Sequence, residues 1–353
     1  MASSADVEQA RKYCVNQLRQ GDYESYLIRQ FIPSSARDAY DALRTLNLEL
    51  ARLPEVVSSP AIGRFRVQFW RDSLNSVFQD PSSSAPPPRE PISILLHAAV
   101  RDLVARTGRG SRGAASSIRF WAQRLVSTRE AHLDDRPFVS LAALETYAEN
   151  TYATLMYATL AALPLRSMHA DHLASHIGKA CGIAAVLRGI PVLSAPRAPV
   201  RTPMGGDATG SRNPALLLPL DVMADVGLRE EDVFRRGPEA PGLQDAVFKV
   251  ATRAHDHLIT AREMLKNLKA GRNPGHDFEH EGEEEHVYDA EGGGWSEDAT
   301  AADIKRAFGV FLEAVPAEDY LARLEAADFD PFKVKGSWKL PWKIWQALRK
   351  QEI

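Results

Sequence analysis

The chain has 353 residues and a formal net charge of −3, with 44% hydrophobic and 25% charged residues. This is a globular composition with enough apolar chain for a large core, and it lacks the basic runs of a nucleic-acid-binding surface. No stretch approaches the roughly 18–20 apolar residues of a membrane-spanning helix, so no integral membrane segment is predicted. Cys14 and Cys181 lie far apart in sequence and lack metal-ligand spacing, which indicates reduced thiols.

Helical periodicity alternates with polar interruptions along the chain. Apolar residues spaced three and four apart predict helices over 10–31, 36–53, 62–78, 92–106, 118–130, 140–163, 173–193 and 243–268. Pro33 and Pro54 are expected to end the first two helices, and Ser34 and Ser35 to cap the second. Loops rich in proline, glycine, serine or arginine are predicted at 79–91, 107–116 and 195–214. No segment shows the alternation of a strand, so we predict one all-α domain, 10–350, with long surface loops.

The segment 271–300 differs in kind from the rest of the chain. Its central sequence, EHEGEEEHVYDAEGGG, has many acidic residues and no lysine or arginine, so it repels itself. We therefore predict a disordered acidic insertion within the domain. His276, His280 and His286 could bind a metal, but stray histidines are common in solvated loops of this kind, and no metal site is predicted there.

The predicted helix 173–193 contains many small residues. Leu173, Ile177, Cys181 and Arg188 lie on one stripe, with three glycines between or beside them. Each glycine inside a helix costs about 1 kcal/mol relative to alanine, so the glycines need a reason. Either another backbone packs closely against this helix, or its small side chains line a cavity. The sequence leaves both explanations open.

Three stretches, read together, resemble the squalene/phytoene synthase family over nearly the whole chain. The matching residues are Asp22-Tyr23-Glu24, Arg66-x-x-x-Trp70-Arg71-Asp72, and Gly178-x-Ala180 through Leu187-Arg188. The resemblance implies an all-α isoprenoid synthase fold. Enzymes of this family condense two prenyl diphosphates, using Mg²⁺ held between aspartate-rich motifs on two facing helices.

The resemblance also implies where the active site would lie. The positions that correspond to the two motifs, together with the neighbouring arginine, are Leu48, Ala51, Arg52, Glu55, Gly182, Ala185, Arg188, Gly189 and Leu193. Of the five aspartate positions only Glu55 keeps an acid. Arg52 puts a cation where a metal would bind, a repulsion of roughly 8 kcal/mol at about 4 Å and a dielectric of about 20. We therefore predict no catalytic residue, no metal and no cofactor, and interpret these positions as a degenerate active site that could line a ligand cavity.

Residues 45–51, 147–157 and 169–183 resemble in particular the branch of this family that assembles mitochondrial complex I. This implies a pseudoenzyme that acts as a non-catalytic assembly factor. Its partners would be complex I subunits or assembly intermediates, at the matrix face of the inner membrane. The N-terminus shows no clear presequence, because Asp6 and Glu8 dilute its basic residues. Two alternatives stay open: a transferase using prenyl diphosphates, with Arg52 and Arg188 binding phosphate, and an isoprenoid- or lipid-binding module.

His172 and His176 are four residues apart, a spacing that can hold zinc. No third ligand stands at a recognisable spacing, and Asp171 is well placed as a helix N-cap. We therefore predict no metal at this pair.

The stretch 336–350 combines Trp338, Trp342 and Trp345 with basic residues such as Lys343. Tryptophans beside cations suit the headgroup interface of a membrane, so a peripheral membrane contact is one interpretation. The other is that the tryptophans pack into the core of the domain.

Overall fold

The structure, a computed structural model, describes residues 3–57, 60–79, 89–107, 111–163, 165, 167–195, 213–272 and 297–353. The described residues form fifteen α-helices and no strand. The first eight are α1 (Ser4–Gly21), α2 (Tyr23–Ile28), α3 (Ser34–Val56), α4 (Pro60–Val77), α5 (Pro91–Thr107), α6 (Ser111–Ala131), α7 (Leu141–Ala148) and α8 (Thr154–Ala162). The others are α9 (Met168–Leu193), α10 (Leu220–Asp225), α11 (Glu230–Arg236), α12 (Leu243–Lys269), α13 (Glu297–Phe311), α14 (Ala314–Ala326) and α15 (Leu340–Lys350).

The predicted first helix, 10–31, is in fact divided at Asp22. The Asp22 carboxylate accepts a hydrogen bond from the backbone N–H of Ser25 at 3.1 Å and caps α2, so the chain turns there.

The predicted end of the second helix is also wrong, because α3 continues past Pro54 to Val56. Pro54 lies in the last turn, so its missing N–H removes one hydrogen bond, to the Leu50 carbonyl, at the very end of the helix. The serine caps are not formed either, since Pro33 is the N-cap residue of α3.

Several other boundaries depart from the sequence prediction. The loop predicted at 107–116 is helical from Ser111 onward, and residues 297–300 of the predicted acidic insertion belong to α13. Residues 273–296, 80–88 and 196–212 of the predicted loops lie outside the described residues. The predicted helix 140–163 is interrupted by a π-helical segment, Glu149–Ala153. Helices α10, α11, α13, α14 and α15 were not predicted from the periodicity. Two of them, α10 and α11, are only six and seven residues long, which is too short to show a clear repeat.

Helix α9 packs against α12, α7, the π-helical segment, α14, α8 and α13. A Cβ atom on Gly178 would lie 2.4 Å from the backbone of Ala153, and one on Gly182 would lie 2.4 Å from Ala148 Cβ. Close backbone approach therefore explains these two glycines. By length and apolar composition α9 could also cross a membrane, contrary to the sequence expectation, but its packing is that of a core helix.

Candidate functional site

Helices α3 and α9, which carry the two degenerate motifs, border one cavity of about 200 Å³. Four of the predicted positions line it: Leu48 and Ala51 on α3, and Ala185 and Arg188 on α9. The other lining residues come mainly from the α1–α2 turn, α3, α9 and the start of α14, and are Gly21, Asp22, Glu24, Ser25, Arg44, Asn47, Tyr152, Cys181, Glu313, Pro316 and Ala317. The family positions thus meet in space, as expected of two facing motifs.

The remaining predicted positions lie beside this cavity or away from it. Glu55 and Leu193 line a second cavity of about 120 Å³, which shares Ala51 with the first. The Arg52 guanidinium lies over the end of α1, where a Cβ on Gly21 would be 2.2 Å from Arg52 Nη2. Arg52 therefore covers the helix end, and Glu55 lines the second cavity but not the first.

The two α9 glycines among the predicted positions have different surroundings. Gly182 contacts α7, as described above, and cannot widen the cavity. At Gly189 a Cβ would meet only the side chain of Leu193, the nearest atom being 3.3 Å away and on the same helix. The small side chain of Ala185 is therefore explained by the cavity that it lines, whereas the glycine at 182 is explained by its close contact with α7.

A buried ion pair closes the inner end of the cavity. Arg44 Nη2 lies 2.7 Å from Glu313 Oε1, and the two residues are only 5% and 6% exposed. The Tyr40 hydroxyl donates to the same Glu313 oxygen at 2.6 Å, and the Cys181 thiol donates to the Glu313 backbone carbonyl at 3.2 Å. Burial raises the pKa of Glu313, while the Arg44 charge and the Tyr40 hydrogen bond act in the opposite direction.

A second ion pair occupies the outer part of the cavity. Arg188 Nη1 lies 2.8 Å from Glu24 Oε1, and the Arg188 guanidinium lies 5.0 Å from the centre of the Tyr320 ring. Asp22 is engaged by Ser25, whose hydroxyl donates to Asp22 Oδ2 at 2.6 Å. Each carboxylate that lines the cavity therefore has a partner from the protein.

These residues do not fit the magnesium–diphosphate chemistry of the family. Mg²⁺ requires several carboxylate or water oxygens in octahedral geometry, and a diphosphate needs uncompensated positive charge around it. Here Asp22 and Glu24 lie at the start of α2 and Glu313 at the start of α14, and they are bound to Ser25, Arg188 and Arg44 respectively. Within the described part of the chain, no three His, Cys, Asp or Glu side chains are grouped so that they could hold a metal ion.

The histidine pair on α9 belongs to a different cluster. The His172 and His176 rings lie 5.2 Å apart, and His176 Nδ1 is 3.0 Å from Nδ1 of His257 on α12. His257 Nε2 in turn lies 2.7 Å from Glu145 Oε1. The predicted N-cap role of Asp171 is wrong, because the Ser167 side chain caps α9 by accepting from the Ala170 N–H at 3.4 Å.

We expect this cluster to make stability depend on pH through Glu145. Burial alone would raise the pKa of Glu145, but the hydrogen bond with His257 and the charge of Arg253 outweigh it and lower the pKa. The stabilisation is therefore complete above the unfolded-state pKa of about 4.3 and is lost as pH falls through the lower folded-state value. Glu145→Gln should cost about 1.5 kcal/mol at neutral pH, and thermal melts should converge with those of wild type at low pH. A constant difference from pH 7 to pH 3 would contradict this.

Eleven lining residues were not among the predicted positions, and two of them, Arg44 and Glu313, form the buried ion pair. Arg44 lies four residues before Leu48 on the same face of α3, so extending that stripe by one turn would have included it. Glu313 had no local signal, because only the tertiary fold brings the start of α14 to α3.

The C-terminal tryptophans lie on the surface and not in the core. Trp338, Trp342 and Trp345 are 85%, 61% and 38% exposed. The alternative that they pack into the domain is therefore wrong. Lys343, predicted beside them as a membrane contact, instead pairs with the buried Asp319 at 2.6 Å.

Known proteins of this architecture match nearly the whole chain. A profile of the family described as squalene/phytoene synthase matches residues 18–346. A crystal structure of a dehydrosqualene synthase superimposes with a TM-score of 0.62 at 11% identity, covering 98% of each chain. That likeness concerns the fold, and it confirms the predicted all-α isoprenoid synthase architecture.

Two mammalian proteins show closer similarity in sequence. "NADH dehydrogenase (ubiquinone) complex I, assembly factor 6" from Rattus norvegicus is 33% identical over 333 residues, which cover 94% of this chain and 78% of the rat protein. The Mus musculus protein of the same name is 32% identical with the same coverage. The chain therefore belongs to the squalene/phytoene synthase family, in the branch that contains the complex I assembly factor 6 proteins.

Proposed function

We propose that this protein is a non-catalytic assembly factor for mitochondrial complex I, built on a degenerate prenyl-synthase fold. The observation that carries the proposal is the similarity of 94% of the chain to rat and mouse proteins named complex I assembly factor 6. The proposal places it in the mitochondrion, at the matrix face of the inner membrane. Its partners there would be complex I subunits or assembly intermediates.

The cavity supports the non-catalytic part of this proposal. Stabilising the departing diphosphate is the dominant electrostatic requirement of prenyl condensation. Here both cavity arginines, Arg44 and Arg188, already neutralise glutamates of the protein. A diphosphate entering the cavity would have to break these pairs, and it would find no carboxylate group arranged for magnesium among the described residues.

Deleting the gene in the organism that encodes the protein tests the assembly role. Native-gel analysis should show loss of assembled complex I and accumulation of an intermediate, while other respiratory complexes remain. Expression of wild type should restore assembly, and so should Glu55→Ala, because Glu55 is not required as a metal ligand. Normal complex I in the deletion strain would overturn the proposal.

We predict that the purified protein does not condense farnesyl or geranylgeranyl diphosphate in the presence of Mg²⁺. Product analysis should show no squalene or phytoene above a no-protein control, while an active squalene synthase assayed in parallel gives product. Arg52→Asp should not restore activity, since a single new carboxylate would still face the acid-free positions Ala185, Gly189 and Leu193. Product formation that EDTA abolishes would show instead that the protein is a transferase.

A further inference from the structure

Helix α15 has two unlike faces, and only one of them is used by the fold. Leu340 and Ile344 are 6% and 0% exposed and belong to the hydrophobic core, with Ala347 and Leu348 packed beside them. At 100° per residue, Trp342, Trp345 and Arg349 lie on the opposite side of the helix. The helix thus attaches through its aliphatic face and presents its aromatic face outward.

The outward face is an ordered aromatic and cationic surface. The rings of Trp342 and Trp345 stack with centres 4.6 Å apart. Arg349 lies 4.9 Å from the Trp345 ring centre, and Lys339 Nζ lies 5.5 Å from the Trp338 ring centre. We call these five residues together with Lys350 the C-terminal platform. Three of the six tryptophans of the chain are concentrated in it.

The charge of this region is opposite to that of the protein. The segment 333–353 has six lysines and arginines against one acid, Glu352, whereas the whole chain has a net charge of −3. Lys333 and Lys343 pair with Asp330 and Asp319 at 2.9 and 2.6 Å. The platform cations have no ion-pair partner among the residues that the structure describes.

The end of α12 contacts the residues that follow α15 and carries charges of both signs. Arg262 Nε donates to the Ile353 carbonyl at 2.8 Å, and Lys269 Nζ donates to the Gln351 carbonyl at 2.9 Å. Together with Lys266 they line a groove of about 340 Å³ along the residues that follow α15. Glu263 and Glu352 line the same groove, and Arg262 Nη2 lies 2.8 Å from Glu318 Oε2, so the groove adds little net positive charge to that of the platform.

Contacts with α14 fix the position of the platform on the domain. The buried Asp319 on α14 binds Lys343 Nζ at 2.6 Å and accepts from the Ser337 hydroxyl at 3.2 Å. Burial alone would raise the pKa of Asp319, but Lys343 and Arg323 outweigh it and lower the pKa. The carboxylate thus ties α15, through Lys343, and the turn before it, through Ser337, to α14. A surface that is already ordered loses little conformational entropy on binding.

We propose that the C-terminal platform docks the protein on a membrane that contains anionic phospholipids. Indole rings favour the headgroup region, where an apolar ring and a polar N–H are both accommodated, and cations beside them attract lipid phosphates. A protein partner would be expected to meet a more compact apolar patch with fewer cations in its centre. The docking surface goes beyond the assembly role and can be tested without complex I.

Flotation with lipid vesicles tests this proposal on the full chain. Wild type should float with vesicles of phosphatidylcholine and phosphatidylglycerol, much less with phosphatidylcholine alone, and less as salt is raised. Trp338→Ala/Trp342→Ala should lower the partition coefficient about tenfold or more, because two interfacial anchors are removed. Lys339→Glu/Lys350→Glu should lower it by at least about tenfold, as expected for cations near an anionic surface.

Variants at other exposed sites serve as matched controls for the loss of aromatic side chains and for the change in net charge. Phe65→Ala removes an aromatic side chain that is 78% exposed on α4, and Lys12→Glu/Arg235→Glu makes the same change in net charge on the exposed faces of α1 and α11. Both should bind anionic vesicles as wild type does, and thermal melts should show that every variant is folded. Failure of wild type to float with anionic vesicles, or unchanged flotation of both platform variants, would overturn the proposal.

Discussion

Replacing Arg44 by methionine is expected to lower the free energy of unfolding by about 3–5 kcal/mol. Arg44 and Glu313 are almost fully buried, and the arginine is the positive partner of the glutamate at 2.7 Å. Without it, Glu313 would keep only the hydrogen bond from Tyr40 and would have to remain charged or take up a proton inside the protein. Urea denaturation followed by circular dichroism measures the change.

A double variant shows whether the cost comes from the unpaired charge. Arg44→Met/Glu313→Leu removes both charges and should recover most of the stability lost in the single variant. The exposed pair Arg235–Glu231, 3.7 Å apart, provides the comparison, and Arg235→Met should change stability by less than about 1 kcal/mol. If Arg44→Met cost no more than Arg235→Met, the buried charge on Glu313 would not depend on Arg44 for its stabilisation.

Gly178→Val is expected to lower the free energy of unfolding by about 3 kcal/mol. A Cβ at this position would lie 2.4 Å from the Ala153 backbone, which cannot rotate away as a side chain could. The two segments would have to separate, and the core contacts between α9 and the π-helical segment would be lost. Thermal and urea unfolding of the variant measure the effect.

Gly189 is the matched control on the same helix. A Cβ there meets only the flexible Leu193 side chain, so Gly189→Val should change stability by no more than about 0.5 kcal/mol. Valine has a higher helix propensity than glycine, so propensity predicts no loss at either position. Similar losses at both glycines would therefore mean that the close approach at Gly178 does not determine the result.

Local features were readable from the sequence. Periodicity located α3, α4, α5, α9 and α12 to within a few residues, because a helix that buries one face must repeat its apolar residues at that spacing. The motif residues indicated the family because each motif is a short stretch of consecutive sequence. Boundaries failed where a single side chain decides them, as at Asp22, whose carboxylate ends one helix and begins the next.

The role of each residue within a helix was decided by the tertiary structure. Gly182 and Ala185 are three residues apart on α9, yet Gly182 contacts α7 and Ala185 lines the cavity. On α4 the aromatic residues Phe65 and Phe69 are 78% and 50% exposed, while Leu74 is buried. Spacing shows that residues share a face, but not which neighbour that face meets.

The charges of the candidate site depended most on contacts between distant parts of the chain. Sequence alone showed that the magnesium-binding acids were missing, because an aspartate is either present at a position or it is not. It could not show that Arg44 is neutralised by Glu313, because Glu313 lies at the start of α14, far along the chain from α3. The location of the tryptophans of α15 also depended on tertiary contacts. Their composition suited either a core or a membrane surface, and the packing of Leu340 and Ile344 against the core turned them outward.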